Sequence, residues 1–526
     1  MTERFHFRLP TQLVRPIAAA MVAGSVLVVA SPTRAVDPPP VVDSTSAVLD
    51  ADVGDPDGLT TLADAVWLTN TDEALDTITF DLDPADAGPI DTVNVPTITE
   101  DLEIVGPGRS RLTFTSSTDS VLTVDNDADI SLSDIAVDGA AAGSGPFNGI
   151  LLTTFGSAVF ERVDLTNTVT GFDVNQPGPD PVGSFTATDV TVSQATGPGV
   201  STFNVAEVVL DGVEVTDAPA STGIRVENAT EVSVTEGSAT DTLDGLLVDG
   251  VGDVMLADFA SVDNAQRGIV ITSGYGTSTF SGVTVSGNGG IGIGIDATSA
   301  SPPVGLDDLR DVSITDSTIS ANDGGGVSIE GAGVIALTRL EITRNGVAPS
   351  SGLGGVYLGS DSLDPSEVVI SESIISDNFG DNGGGVTTSN HDGDVTISSS
   401  TISGNQASDG KALRIATTGG GGLVEVVRSE ISGHTAGVAP VVYADGVPVH
   451  IIESNVTGNA AAALFEARSS DGGITVRDST ITRNSFDDAI FQNGEFSFVE
   501  VFETTVTENT APAASAGVFR RALDGG

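Results

Sequence analysis

"DVTISSSTISGNQASDGKALRI", residues 394–415, contains three short runs in which apolar residues alternate with Ser, Thr or Arg: VTIS, STIS and ALRI. The same phrase returns as "DVSITDSTISANDGGGVSIEG" at 311–331 and "GITVRDSTITRNSFDDAIFQN" at 473–493. Alternation at period 2 over so few residues specifies a strand with one buried face, not a helix. The third run recurs as a small residue followed by alternating apolar positions. It reads GILL at 149, GIRV at 223, GVYL at 355, ALRI at 412 and GVFR at 517, fifteen copies in all at about 26 residues per step. An Asn marker runs beside it at Asn264, Asn288, Asn322, Asn345, Asn378, Asn405, Asn459, Asn484 and Asn509.

No helical stretch separates these strands, which excludes βαβ units. A fixed period of this size points to a solenoid or a propeller, and a propeller blade needs about 40 residues and four strands. Three strands per step fit one turn of a parallel β-helix, with each coil bonded to the next at about 4.8 Å. The fold expected is all-β, a parallel β-helix of about fifteen coils. Val and Ile fill its interior, Gly before the apolar run permits a tight corner or positive φ, and Asn takes the left-handed region while bonding the turn above. Such a stack needs a cap. The amphipathic segment "LTTLADAVWLTN", 59–70, supplies one, with Leu59, Leu62, Ala63, Val66 and Trp67 on one face and Thr61 with Asp64 as a capping box. "DTITFDL" at 76–82 and "DLEIVGPG" at 101–108 are the first strands expected.

The 526 residues carry 73 acidic and 20 basic side chains, a net charge of −53, and no Cys. A polyanion is repelled by such a chain, so nucleic acid and anionic membrane surfaces are excluded as partners. Lys411 is the sole lysine. At the N-terminus Arg4, Arg8 and Arg15 precede the apolar run 17–30, and "TRA" places small residues before a cut after Ala35. Residues 1–35 read as a signal peptide, 36–105 as linker, capping helix and first strands, 106–522 as repeats and 523–526 as a tail. The expected mature chain is secreted, has no membrane span, and is stabilised by packing in place of disulfides.

"TTLADAV" (60–66), "DTITFDL" and "EDLEIVGPG" together resemble the N-terminal cap of secreted bacterial β-helix proteins named for a Cys-Ser-Leu-Arg-Glu-Ala-Ile motif. Leu62 and Ala65 match that motif and Val66 is close, while Thr60 and Thr61 replace Cys-Ser and Ala63 and Asp64 replace Arg-Glu. The coils, with "GGGV" at 324 and 383 and "ISDN" at 375, resemble the right-handed parallel β-helix repeats of pectin-lyase-like and polymorphic outer-membrane proteins. The resemblance covers nearly all of the mature chain and implies a fold more than a function, because that superfold hosts lyases, hydrolases, adhesins and passive stalks.

"GNGGIG", 287–292, has dinucleotide-loop spacing but leads into a strand, so it is a corner and not a phosphate site. "DNDADI", 125–130, fails the EF-hand spacing, and "NHDGD", 390–394, is a looser acidic turn. No cofactor is expected, with calcium in these turns the open alternative. His391, His434 and His450 fall in separate coils and do not suggest zinc. For catalysis on polysaccharide the candidates are Asp307, Asp308 and Arg310, in a longer loop of mixed charge; Asp487–Asp488 is the other adjacent pair. The "GHG" and "RIK" hallmarks of the polygalacturonase branch are absent, with "GHT" at 433 the nearest. For binding, the third residue of each repeat element forms an outward ladder: Arg225, Leu247, Val270, Gly294, Ser328, Tyr357, Thr387, Arg414, then Val442, Phe465, Phe491 and Phe519. Arg225, Tyr357 and Arg414 are the ligand-binding candidates on it, and the Phe run is a partner surface unless the register slips by one. The reading placed first is a secreted or cell-surface adhesion, glycan-binding or structural module with an extracellular polysaccharide or surface partner. The runner-up is a polysaccharide lyase or glycoside hydrolase of the pectin-lyase-like type.

Overall fold

The computed structural model describes residues 41–42, 61–71, 76–80, 89–116, 120–140, 147–274, 276–297, 311–347, 353–359, 367–381, 383–389, 393–416, 422–435, 439–468, 473–493, 498–511 and 519–521. All of its elements belong to the unit Pro40–Gly526. The coil that opens the sequence reading shows how each turn is made. Its three runs are strands: Val395–Ser398, Thr401–Ser403 and Leu413–Ala416. Each pairs in parallel with the coils before and after, Ile402 with Ile375 and Ile431, Leu413 with Val386 and Val442. The third strands of all coils form one sheet of 16 strands, which sets about fifteen turns. The first and second strands belong to a second sheet of 31 strands, and in the opening coil only Ser399 and Ser400 separate them. Alternation places Val395, Ile397, Ile402, Leu413 and Ile415 at 2% exposure or less, in one continuous apolar core.

The corners use a different device from the one the sequence suggests. The first of the residues between the first and second strands is in the left-handed region in coil after coil: Asp316, Arg339, Glu372, Ser399, Arg428 and Glu453 all have φ between 48° and 54°. The second corner repeats this at Asp263, Ala321, Arg344 and Asp377, each immediately before a marker Asn. So neither the Asn nor the repeat Gly carries the positive φ. The Gly serves close approach: a Cβ on Gly245 would stand 2.6 Å from the carbonyl oxygen of Gly268 in the next coil. The Asn turns inward. Its Nδ2 donates to the Oδ1 of the next Asn, 2.9 Å from Asn264 to Asn288 and 3.0 Å from Asn378 to Asn405. That Oδ1 also accepts the preceding Asn's backbone N–H, and the second Nδ2 hydrogen goes to a carbonyl one coil back, as from Asn345 to Ile319 at 2.9 Å. Where one Asn follows another, both Nδ2 hydrogens and the Oδ1 are thus matched, which is the condition for burying the amide.

The ladder is interrupted once. His434 occupies the Asn slot between Asn405 and Asn459, keeps the backbone bond to Asn459 Oδ1 at 3.1 Å, and is 1% exposed. Neither ring nitrogen has a partner. Beside it lies Lys411, also buried, whose Nζ donates to the carbonyls of Thr435 (2.6 Å) and Ala460 (2.7 Å) in the two following coils. Burial pushes the Lys411 amine down to about 8, with Asp487 pulling the other way. Burial and the Lys411 charge push His434 down to about 3.

At the other end of the unit the helix Leu62–Thr69 forms behind the expected capping box: Asp64 N–H donates to Thr61 Oγ1, and Thr61 N–H to Asp64 Oδ2, each at 3.1 Å. Leu62, Ala65 and Val66 join the apolar core of the coils. Trp67 does not; with Leu68 it lies on the far side, 42% exposed, because the buried stripe runs through Leu62, Ala65, Val66 and Thr69. The expected strands follow at Asp76–Phe80 and Leu102–Val105. Among the described residues no helix is long and apolar enough to cross a membrane.

Candidate functional site

The face of the 16-stranded sheet turned away from the apolar core carries one long ladder whose rungs are set by its parallel register; Arg225, Leu247, Tyr357 and Arg414 on it are part-exposed, whereas Val270, Ser328, Thr387, Tyr443 and Glu466 are buried. The ladder runs Arg225, Leu247, Val270, Gly294, Ser328, Tyr357, Thr387, Arg414, Tyr443, Glu466. Up to Arg414 this is the ladder read from the sequence. Beyond it the register slips by one: Leu413 pairs with Val442, Val442 with Phe465 and Phe465 with Phe491, so these residues continue the inward ladder, and Phe519 takes the next register position. Phe465 and Phe491 are buried and stacked, with ring centroids 5.2 Å apart. The cause is visible in the residues. PVVY, ALFE and AIFQ carry two apolar residues in succession, and the slot held by Gly in earlier coils is taken by Val441, Leu464 and Ile490.

The structure groups two of the three binding candidates and leaves the third apart. Tyr357 and Arg414 are separated only by Thr387, about 10 Å at two strand spacings. Arg225 lies five rungs before Tyr357, about 24 Å away, and is held by Glu227 at 2.6 Å. Instead, Arg414 has Tyr443 as its neighbour. Burial raises the Tyr443 hydroxyl's pKa while the charges of Arg468 and Arg414 oppose this. Its hydroxyl donates to Asp445 at 3.4 Å, and the Arg468 guanidinium lies over its ring at 5.2 Å. Arg468 is in turn fixed by Glu466 at 2.6 Å. Tyr443, Asp445, Glu466 and Arg468 thus form a compact polar cluster which the reading from sequence missed. The signal was there in VVYAD and LFEAR, but it was masked by the one-residue slip.

A second feature lies on the neighbouring outward position, the fifth residue of each element. Asp249, Thr272, Asp296 and Glu330 succeed one another there. The Glu330 carboxyl is raised above the usual carboxylate range, by burial first and then by the charge of Asp296. The ladder beside this pair is Gly294 and Ser328, so its floor is low. The sequence signal was an acid closing GIGID and GVSIE. The catalytic candidates Asp307, Asp308 and Arg310 lie outside the described residues, as does His391. Asp125, from the first acidic turn considered for calcium, is engaged by Thr154 and by the backbone of Asn126; these hydrogen bonds hold its carboxyl below the usual range. Among the described residues no three His, Cys, Asp or Glu side chains gather as a metal set.

Two stretches, 121–305 and 303–511, match the family model described as right handed beta helix region. No curated protein sequence matches the chain. Among solved structures it is similar to the A-module of the mannuronan C-5 epimerase AlgE6 of Azotobacter vinelandii, at 12% identity over 92% of this chain and 98% of that one, with a TM-score of 0.27. It is also similar to the catalytic domain of a GH87 alpha-1,3-glucanase, at 12% identity over 94% of this chain and 70% of that one, TM-score 0.31. A third is tailspike protein 3 of bacteriophage CBA120, at 10% identity over 87% of this chain and 60% of that one, TM-score 0.28.

Proposed function

Because the chain belongs to the family of right handed beta helix region proteins, we propose that it is exported and works as a glycan-binding module of the cell surface or medium. The sugar chain lies along the outward ladder of the 16-stranded sheet. The observation that carries this is the run Tyr357, Thr387, Arg414, Tyr443, Glu466 on consecutive coils. It sets two phenol rings, an aliphatic hydroxyl, a guanidinium and a carboxylate at regular spacing on one face, the mixture that recognises a polyhydroxylated chain. The phenol of Tyr357 is the stacking group, since the Tyr443 ring is already covered by Arg468. A glycan array tests the reading: the full chain binds a defined set of glycans, and Tyr357→Ala loses at least about tenfold in affinity. An array without binders, or binding indifferent to Tyr357→Ala, overturns it.

Export rests on the basic start, the apolar run 17–30 and the small residues that end at Ala35. Intact mass of protein from the medium should give an N-terminus at Val36, and a mature chain still starting at Met1 refutes it.

One observation favours a second reading, a carbohydrate-active enzyme. Glu330, raised by burial and by Asp296, is suited to act as a general acid beside a carboxylate. The strand Ile291–Asp296 ends at Asp296, and Asp307, Asp308 and Arg310 come next in the sequence, before the strand Val312–Thr315. Release of reducing ends or of unsaturated uronate from a polysaccharide would establish activity. That activity should fall at least about a hundredfold in Glu330→Gln, and should not survive Asp307→Asn combined with Asp308→Asn. Absence of any release removes this reading.

A further inference from the structure

Three buried polar atoms on the outward ladder have no protein partner, the Nε of Arg225, the Oγ1 of Thr387 and the Nε of Arg414, and the last two stand on adjacent coils. Thr387 is 3% exposed and its Oγ1 makes no hydrogen bond. One coil on, in register with it, the Nε of Arg414 is buried and equally unmatched. Orphaned buried groups are rare, and each carries a cost in stability that a bound partner relieves. Glycines stand close beside the pair. A Cβ on Gly383 would collide with Thr387 Oγ1, and one on Gly410, at φ 61°, would stand 2.7 Å from the Arg414 Cβ.

The charge around them adds to this. Acidic residues outnumber basic ones by 73 to 20. Arg225 and Arg468 on the same sheet are each paired to a Glu at 2.6 Å. Among the described residues no carboxylate pairs with Arg414, so it stands unneutralised in a chain rich in possible partners. A guanidinium N–H can only donate, and a hydroxyl beside it can donate too. Adjacent donors with one permanent positive charge select an anionic oxygen acceptor, for which a carboxylate has the right shape.

We propose that Thr387 and Arg414 hold the carboxylate of an acidic sugar residue within the glycan bound along the ladder. This deepens the glycan-binding reading and rests on it. The net charge of −53 opposes a uniform polyanion, whereas a screening length of about 8 Å leaves contact-range attraction intact. The ligand class that satisfies both is a chain in which uronic acid units are spaced by neutral sugars.

The test uses the full chain and a panel of oligosaccharides carrying one uronic acid per two or three sugars. Each is matched with its carboxyl-reduced counterpart, and affinities are read by calorimetry at two salt concentrations. The parent should bind at least one acidic member about tenfold or more tighter than its reduced form, with the preference shrinking at high salt. Arg414→Gln should abolish the preference. Thr387→Val, which keeps the side-chain shape, should reduce it, while Arg339→Gln on another face leaves it intact. Unchanged melting temperatures separate loss of binding from loss of fold. Equal affinity for the acidic and reduced forms overturns the inference and leaves the glycan-binding reading standing. A preference that survives both Arg414→Gln and Thr387→Val also overturns it. Binding to neither form overturns both.

Discussion

His434 is the residue at which the interior departs from its own rule. Elsewhere the slot holds an amide that donates and accepts in both directions, as Asn345 does with Asn378 at 3.0 Å and Ile319 at 2.9 Å. His434 puts an imidazole there with both nitrogens unmatched, next to a buried ammonium. Its folded pKa of about 3 lies below the ordinary value of 6.5. In the unfolded chain it takes up a proton as pH drops through about 6.5, while the folded chain refuses it until about 3. The unfolded state therefore binds more protons in that window, and stability falls as pH falls. His434→Asn should remove this slope and complete the ladder. Relative to the parent it should gain about 1–2 kcal/mol at pH 5 in urea unfolding, and more at pH 4 than at pH 7. A gain that does not depend on pH would show that His434 is not neutral in the fold. The Asn pattern was legible because it recurs at coil spacing. Its geometry was not, because an Asn facing inward and an Asn in the left-handed region leave the same mark in a sequence.

At the scale of the strand and its corner, the alternation in VTIS and STIS was sufficient to place every side chain. Within each strand the period holds, with Val395 and Ile397, then Ser400 and Ile402, buried and Thr396 and Thr401 half-buried between them, and Ser399 is exposed at the corner where the phase shifts. The corner residue was illegible because the left-handed position accepts Asp, Arg, Glu, Ser or Ala here. What these share is that none is β-branched, and the left-handed region is hardest on branched side chains. Ser399→Val should accordingly cost about 1 kcal/mol or more although the site is exposed, whereas Thr401→Val should stay within about 0.5 kcal/mol. Equal effects would mean that Ser399 does not hold the corner. Ile402→Asp should cost at least about 3 kcal/mol, since a charge enters an apolar interior with no partner. Thr401→Asp should be mild. Limited proteolysis reads the difference at 394–415: a parent-like fragment pattern for Ile402→Asp alongside an open one for Thr401→Asp would invert the inside–outside assignment. The outward ladder shows how far such reading carries. It holds from Arg225 to Arg414 and then fails by one residue, because nothing in PVVY tells which of two adjacent Val residues faces in. The polar cluster around Tyr443 was lost with that step.

For the whole molecule, the dominant long-range term is self-repulsion. A net charge of −53 works against any compact state, and salt weakens it as the screening length falls from about 30 Å at 0.01 M to about 3 Å at 1 M. The melting temperature should therefore rise with NaCl over that range. A flat or falling profile would mean that surface pairs such as Arg339–Asp316 at 2.6 Å and Arg162–Asp134 at 2.7 Å outweigh the repulsion, since salt weakens those too. The coils themselves interact mainly with their immediate neighbours, so each contributes a local share of stability.

The asparagine ladder makes those shares interchangeable. Within 264–405 and again within 459–509, each Asn offers the same acceptor to the coil before it and the same donor to the coil after it, so the joints between those turns are chemically alike. A length of chain running from just after one ladder Asn to a later one can be removed or copied without leaving an amide unmatched at the seam. These parts of the solenoid can thus be shortened or lengthened in whole turns, like a ruler cut on its gradations, while a change by a fraction of a turn would strand a donor on one side and an acceptor on the other.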